Sequence, residues 1–224
     1  MKKRKSNEPG VPGNFDPHFR SLIFTGENCD NMFPDLPIQN FEIPNNDIEF
    51  IEFRKKPTPG KFSIGHFFID DRHFWPLWKN PEKYVEKLKQ FDCICSPDFS
   101  LYTDDFIAIQ LYSIYQNRWL TNYWHQIQNL NVVITAQWGI DYKSEFMGIP
   151  YDQIFTIDTP SRRTKEGKEI GKNRWLKGVN GLLTLKPKLI LIQGELLESE
   201  KKVFEDTKYL CFPKIQSFNK QSEI

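Results

Sequence analysis

Short apolar and β-branched runs alternate with helical segments through most of the chain. The runs occupy residues 61–70, 91–98, 131–138, 153–159 and 187–194, and polar or acidic residues gather where each run stops. Alternation of this kind predicts parallel strands joined by helical crossovers, and such sheets carry their functional residues at the carboxyl ends of the strands. The pattern therefore locates a candidate site, although it does not name a reaction.

The apolar runs also predict how the sheet is built. Strands are predicted at 62–69, 92–96, 132–137, 154–157, 189–192 and 208–212, and helices at 82–90, 103–128, 175–185 and 196–206. An imperfect alternation at 48–53 predicts an edge strand. Consecutive βα units can form an open sheet or a partial (β/α) barrel, and the short strands in an uninterrupted series favour the barrel-like α/β arrangement.

Composition divides the chain into four segments. Residues 1–15 are basic and then rich in proline and glycine, which predicts a disordered leader. Residues 16–60 are rich in proline and are predicted to be an irregular arm that contains the edge strand. Residues 61–212 form the predicted single α/β domain, and 213–224 a flexible tail. A chain of 224 residues suits one such domain with its arm.

Overall charge and hydropathy argue against a membrane-spanning helix, a signal peptide and a strongly basic nucleic-acid-binding chain. Basic and acidic residues number 30 and 29, so no global field directs the protein to nucleic acid or a membrane. No apolar run approaches the ~18 residues of a spanning helix, and residues 6–13 lack the apolar core of a signal peptide. The four cysteines form no CxxC pair, which favours free core thiols in a reducing compartment over a metal site. We expect a cytoplasmic protein.

Acidic side chains follow the first two predicted strands of the domain. Asp70 and Asp71 come after the first strand, and Asp98 comes after the second. Because neighbouring parallel strands end side by side, about 5 Å apart, one of the first two carboxylates could meet Asp98. Paired carboxylates can hold Mg²⁺ or Mn²⁺, or can divide acid and base roles. Aspartate also commonly caps the following helix or closes a turn, so both interpretations stay open.

Two large side chains near these strand ends have two interpretations each. Arg118 lies within the apolar arc of the helix at 103–128, where a guanidinium needs a carboxylate or carbonyl partner. It could form a structural ion pair or contact a ligand. Trp138 ends the third strand of the domain. It could form the floor of a ligand pocket by stacking, or could plug the end of the barrel.

A basic segment follows the strand predicted at 154–157. Residues 161–177 contain two acidic residues and seven basic ones, which are Arg162, Arg163, Lys165, Lys168, Lys172, Arg174 and Lys177. If this strand ends beside the carboxylates, the segment would present cations and backbone amides to an anion such as phosphate. The alternative is a solvated loop with no ligand.

Several short blocks occur in an order that resembles a known family. They read HFFIDDRHF at 66–74, SPDFSLY at 96–102, YQNRW at 115–119 and QWG at 137–139. Together they resemble DUF4417, a family of uncharacterised proteins met in bacteria, phages and other mobile elements. The resemblance implies a phage or mobile-element setting, and hence the host cytoplasm, but no established reaction. It supports grouping Asp71, Asp98, Arg118 and Trp138 without assigning their roles.

The leading hypothesis from the sequence is a metal-assisted enzyme that acts on a phosphate-bearing nucleotide or nucleic acid. Asp71 and Asp98, with Asp70 as a substitute, would hold the divalent ion, and Arg118 would neutralise developing charge. Substrate would be bound by Trp138, Arg162, Arg163, Lys165 and Arg174. The rival hypothesis is a non-catalytic module that binds nucleic acid or a host protein through the basic segment at 161–177.

Overall fold

Seven parallel strands lie in one sheet in the order in which they occur in the chain. A computed structural model describes residues 28–29, 33–102, 105–139, 146–159 and 165–214, the side chains of 28–29 and 165–170 excepted. The strands of the sheet are β3 (Ile48–Glu52), β4 (Phe62–His66), β5 (Cys93–Cys95), β6 (Val132–Thr135), β7 (Ile154–Asp158), β8 (Leu189–Gln193) and β9 (Tyr209–Phe212). Two short strands, β1 (Asn28–Cys29) and β2 (Phe33–Pro34), form a separate antiparallel pair.

The sheet curls until its two edges approach each other. Phe50 of β3 and Phe212 of β9 belong to the first and last strands, yet their rings stack with centroids 4.7 Å apart. His66 of β4 stacks on the same Phe50 ring at 4.7 Å. The predicted barrel-like arrangement is therefore confirmed: the parallel sheet is a nearly closed barrel, and the predicted edge strand at 48–53 is its first strand.

Helices connect most of the strands on the outside of the barrel. They are α1 (Trp75–Lys79), α2 (Val85–Leu88), α3 (Ile107–Asn122), α4 (Lys165–Leu183) and α5 (Glu198–Lys201), with 3₁₀ turns at Asp71–His73, Pro81–Tyr84 and Lys202–Phe204. Helix α3 continues into a π-helical turn, Tyr123–Ile127. No helix in the described ranges is long and apolar enough to cross a membrane.

The two long helices, α3 and α4, begin four or more residues away from the predicted starts. Helix α4 starts at Lys165 rather than at 175, so most of the predicted basic loop is helical. Six of the ten residues 165–174 are lysine, glutamate or arginine, which favour helices, and they outweigh Gly167 and Gly171. Helix α3 starts at Ile107 rather than at 103, and no side chain caps it.

The arm before the domain closes the amino-terminal end of the barrel. The Gln39 side chain donates from Nε2 to the carbonyls of Val132 and Ile154, at 2.8 and 3.0 Å, and accepts from the Ile154 amide at 2.5 Å. It thereby bridges the first residues of β6 and β7. The Leu36 amide also donates to the Gly148 carbonyl at 2.8 Å. Although the arm has little regular structure, it is tied to the sheet by hydrogen bonds.

Candidate active site

A cavity of about 490 Å³ opens at the carboxyl end of the barrel. Four strand ends and one helix contribute to its wall, through Phe68 after β4, Asp98 after β5, Gln137 and Trp138 after β6, Asp158 at the end of β7 and Trp175 on α4. The position agrees with the rule that places the sites of such folds at the carboxyl ends of strands. Five aromatic residues line the wall, and its polar residues are Asp98, Ser100, Gln137 and Asp158.

Asp98 is the most strongly perturbed acid of this cavity. It is partly buried, and burial together with the negative charges of Asp158 and Asp71 raises its pKa to about 7. A hydrogen bond with the Gln137 side chain and the charge of Lys214 oppose this rise. Protonated and ionised Asp98 therefore coexist near neutral pH, which is the property a proton-transfer group needs.

Asp158 is a second carboxylate in the wall, which the sequence analysis did not select. Burial raises the pKa of Asp158, and this rise is opposed by Lys214, whose Nζ lies 2.6 Å from Asp158 Oδ1. Lys214 also donates to the Thr159 carbonyl at 3.2 Å. The strand-end position of Asp158 is the same signal that selected Asp98. Lys214 lies in the predicted tail, and no sequence pattern connects it with Asp158.

Asp71 is held by Ser100, in the loop after β5 that also carries Asp98. One of its carboxylate oxygens accepts from the Ser100 amide and the other from the Ser100 hydroxyl, each at 2.9 Å. Burial raises the pKa of Asp71, while these hydrogen bonds oppose the rise. Asp71 therefore joins the loop after β4 to the loop after β5, and its charge acts on Asp98.

Asp70 points away from this group. Its carboxylate accepts from the Arg72 amide at 3.1 Å and pairs with the Arg72 guanidinium at 2.8 Å. The backbone hydrogen bond from Arg72 is the main cause that lowers the pKa of Asp70. Asp70 thus has the capping position that the sequence left open as an alternative to metal binding.

The described residues contain no group of three histidine, cysteine, aspartate or glutamate side chains that could hold a metal ion. Cys93, Cys95 and Cys211 are free thiols, and the first two are buried in the sheet. Binding of Mg²⁺ or Mn²⁺ by Asp70, Asp71 and Asp98 therefore stays a prediction. Both oxygens of Asp71 already accept hydrogen bonds, so a metal would compete with Ser100 for this carboxylate.

Helix α3 supports the loop that carries Asp98. Asn117 donates from Nδ2 to the Pro97 carbonyl at 2.7 Å, directly before Asp98 in the chain. Arg118, the next residue, is only 3% exposed and lies within the helix packing rather than on the described cavity wall. The block that contains both residues drew attention to Arg118, whereas the contact that positions Asp98 is made by Asn117.

Trp138 lines the cavity with one side and packs on α4 with the other. A Cβ atom added at Gly178 would lie 2.1 Å from Trp138 Cδ2, so the ring covers the helix backbone where only glycine leaves room. Trp175, one turn earlier on α4, donates from Nε1 to the Asp158 carbonyl at 2.8 Å. The two tryptophans therefore fix α4 against the rim of the barrel.

The predicted basic substrate-binding residues are only partly within the structure. Arg162 and Arg163 lie outside the described residues, and Lys165 is the first residue of α4 but its side chain is not described. Arg174 is exposed on α4, directly before the buried Trp175. Their roles in binding a substrate stay a prediction.

Comparisons with known proteins agree with the resemblance found in the sequence. The chain is 32% identical over 134 residues to the Gene 1 protein of Mycobacterium phage L5, covering 58% of this chain and 57% of the relative. It is 31% identical over 134 residues to the Gene 1 protein of Mycobacterium phage D29, covering 58% of this chain and 48% of the relative. The chain thus spans about half the length of these relatives.

No solved structure matches the chain. A domain of unknown function, DUF4417, matches residues 28–213, which include the cavity and the nine strands of the described residues. The chain belongs to the DUF4417 family.

Proposed function

We propose that the protein is an enzyme that performs acid–base chemistry on a small polar molecule bound at the carboxyl end of the barrel. The observation that carries the proposal is the cavity itself, in which carboxylates from the ends of β5 and β7 share an aromatic wall. Buried acids are costly to fold even when each has one polar partner, as Asp98 has in Gln137 and Asp158 has in Lys214. Acids with raised pKa values cluster at functional sites.

The two carboxylates have different surroundings, which suits a division of roles. Asp158 is paired with Lys214 and stays ionised more readily, whereas Asp98 has the pKa near neutrality. In the proposed reaction, protonated Asp98 donates its proton to a substrate oxygen or nitrogen, and ionised Asp98 accepts one back. Asp158 stabilises positive charge that develops on the substrate, and Asp71 keeps the proton affinity of Asp98 high.

The experiment is an untargeted mass-spectrometric comparison of a bacterial metabolite extract before and after incubation with the purified protein. Wild type is expected to deplete at least one metabolite and to form its product. Asp98→Asn should lose this turnover by a factor of 10² or more, on the order of a general acid's usual contribution. Asp206→Asn changes an exposed carboxylate away from the cavity and is the matched control, so its turnover should equal that of wild type.

A folded Asp98→Asn variant with wild-type turnover would contradict the proposal, as would an extract that the wild type leaves unchanged. The same incubation with EDTA, Mg²⁺ or Mn²⁺ tests the metal-assisted mechanism predicted from the sequence. Turnover that EDTA abolishes and Mg²⁺ restores would assign a metal to the carboxylates and replace simple acid–base chemistry.

The two relatives are phage proteins, so we further propose that the protein acts in the cytoplasm of a bacterial host. The alternative function from the sequence, binding of nucleic acid or a host protein by the basic segment at 161–177, has its own test. Binding through several lysine and arginine contacts should weaken steeply as salt rises. Retention of an oligonucleotide at low salt but not at 0.3 M would support that alternative.

A further inference from the structure

The start of helix α3 carries an apolar patch that faces solvent. Four large apolar side chains in and just before its first turn are between 41% and 85% exposed, and they are Tyr102, Phe106, Ile107 and Ile109. We call these four residues the apolar tip. Residues 116–124, further along the same helix and its π-helical turn, are all buried. A contiguous exposed apolar patch marks an interaction surface, whereas single exposed apolar side chains need no explanation.

Hydrogen bonds hold the tip in a defined conformation. The Phe106 carbonyl accepts from the amides of Ile109 and Gln110, at 2.9 and 3.3 Å. The Gln110 side chain donates to the Asp105 carbonyl at 3.0 Å. A Cβ atom added at Gly139 would lie 2.5 Å from Gln110 Oε1, so the loop after β6 packs directly on this side chain. The backbone of the tip is therefore tied to the barrel, and a partner would meet a surface that is already ordered.

The size of the tip suits the centre of a protein–protein interface. With about 200 Å² for a large aromatic side chain, the exposed parts of Tyr102 and Phe106 sum to about 300 Å². A standard interface buries about 800 Å² on each partner, with an apolar centre and a polar rim. The two aromatic side chains alone would supply about a third of that area, and the two isoleucines enlarge it.

The charges around the tip favour a second copy of the chain over other partners. The exposed stretch 106–109 has no charged residue, and an uncharged apolar patch is complementary to itself, as a twofold interface requires. Residues 100–113 contain no lysine or arginine, the residues with which surface helices bind anionic lipid and proteins bind nucleic acid. The aspartates that precede the helix, Asp104 and Asp105, also disfavour an anionic partner.

We propose that the apolar tip is the centre of a homodimer interface, in which two copies of the chain bury their tips against each other about a twofold axis. This inference goes beyond the acid–base function and does not depend on it. Leu101 and Tyr102 also belong to the cavity wall, so each copy would border the cavity mouth of the other.

The experiment is sedimentation velocity of the full chain over a range of micromolar concentrations. The weight-average mass of wild type is expected to rise from that of one chain toward that of two. The double variant Phe106→Glu and Ile109→Glu places four charges in the dimer interface. It should raise the dissociation constant at least about thirtyfold, the factor that corresponds to the ~2 kcal/mol of an interface hot spot. Acidic residues are favourable at the start of a helix, so this variant should fold.

Tyr151→Glu is the matched control. Tyr151 is 65% exposed and precedes β7 at the amino end of the barrel, so the variant adds a charge to an exposed ring away from the tip. It should dimerise like wild type. Circular dichroism and thermal unfolding establish whether each variant is folded. If the double variant does not fold, Phe106→Ala removes the most exposed ring without adding a charge and should raise the dissociation constant about tenfold.

Loss of the dimer in the double variant, with dimerisation kept in Tyr151→Glu, would support the inference. A wild type that remains a single chain at every concentration would overturn it. A dimer that folded tip variants leave unchanged would also overturn it, because the interface would then lie elsewhere. Binding of monomeric wild type to phosphatidylglycerol vesicles, lost in the double variant, would assign the tip to a lipid surface instead of a second copy.

Discussion

The two ends of the barrel are built from the same strands but differ in how their polar groups are used. At the amino end, Gln39 makes three hydrogen bonds with the first residues of β6 and β7 and leaves its own amide group satisfied. At the carboxyl end, Asp98 and Asp158 share a cavity in which burial raises the pKa of both. One end contributes stability, and the other retains acids at a cost in stability.

This difference teaches where to look for function in a barrel of unknown activity. Buried polar groups that are matched one to one with backbone partners are expected in any stable fold. Buried acids that lie close together and have raised pKa values are not expected in a fold selected for stability alone, because relaxation of the fold would separate them. Substitutions at the two ends should therefore have opposite effects on the free energy of unfolding.

The largest expected effect is at the amino end. Gln39→Ala removes three hydrogen bonds and leaves backbone groups of β6 and β7 without partners, so we expect the free energy of unfolding to fall by about 3 kcal/mol, about 1 for each bond. Urea unfolding measures the change. Gln90→Ala, at an exposed glutamine, is the control and should lie within about 0.5 kcal/mol of wild type. A Gln39 variant as stable as this control would show that the arm does not hold the sheet.

A smaller loss is expected where α4 meets the rim. The methyl group of Gly178→Ala would lie 2.1 Å from Trp138 Cδ2, and the overpacking should cost about 2 kcal/mol. Replacing Trp138 with Ala as well removes the clash. The double variant should therefore lose less free energy of unfolding than the two single variants lose together. Strict additivity would contradict the contact, and Asn180→Ala, exposed on the same helix, should not destabilise.

At the carboxyl end, neutralising an acid should stabilise the protein. The folded-state pKa of Asp98 is raised to about 7, above the unfolded value near 3.9, so wild type loses stability as pH rises between these values. Asp98→Asn has no such loss. We expect it to be more stable than wild type by about 1.4 kcal/mol at pH 8, equivalent to one pKa unit after solvent screening at the cavity mouth, and equal to wild type at pH 4.

Thermal unfolding from pH 4 to pH 8 measures this difference. A constant offset between Asp98→Asn and wild type would mean that packing rather than ionisation distinguishes them. A variant less stable than wild type at pH 8 would contradict the view that the acid is retained at a cost.

The smallest expected effect concerns the cation of the rim. Lys214→Met removes a positive charge that lowers the pKa of Asp98, so the midpoint of Asp98 should move upward. The free energy of unfolding should change by less than about 1 kcal/mol, because the ion pair with Asp158 is partly exposed. Lys208→Met, at the amino end of β9, is the matched control and should leave the midpoint unchanged. If neither substitution moves the titration midpoint of Asp98, Lys214 does not influence the charge of Asp98.

Much of the sheet could be predicted because buried parallel strands form continuous apolar runs. The strand at Leu189–Gln193, for example, differs by one residue from the prediction of 189–192. The start of α4 was missed because a charged segment without an apolar stripe resembles a solvated loop. Among the described side chains of α4, from residue 171 onward, the first buried one is Trp175, where the apolar pattern becomes visible.

The candidate site was only partly predictable. Asp98 could be found from its position after a strand, but adjacent Asp70 and Asp71 could not be told apart, because the turn geometry decides which one faces Ser100. Contacts distant in sequence left no local signal. Gln39 reaches Ile154 across 115 residues, and Lys214 reaches Thr159 across 55.

The most direct test of the account is a carbon-13 NMR titration of the Asp98 side-chain carboxyl group, assigned by its loss in Asp98→Asn. Burial and the charges of Asp158 and Asp71 should give a midpoint near pH 7 in the folded protein. A midpoint near pH 4, the ordinary value for an exposed aspartate, would contradict it and leave the cavity without its proton-transfer group.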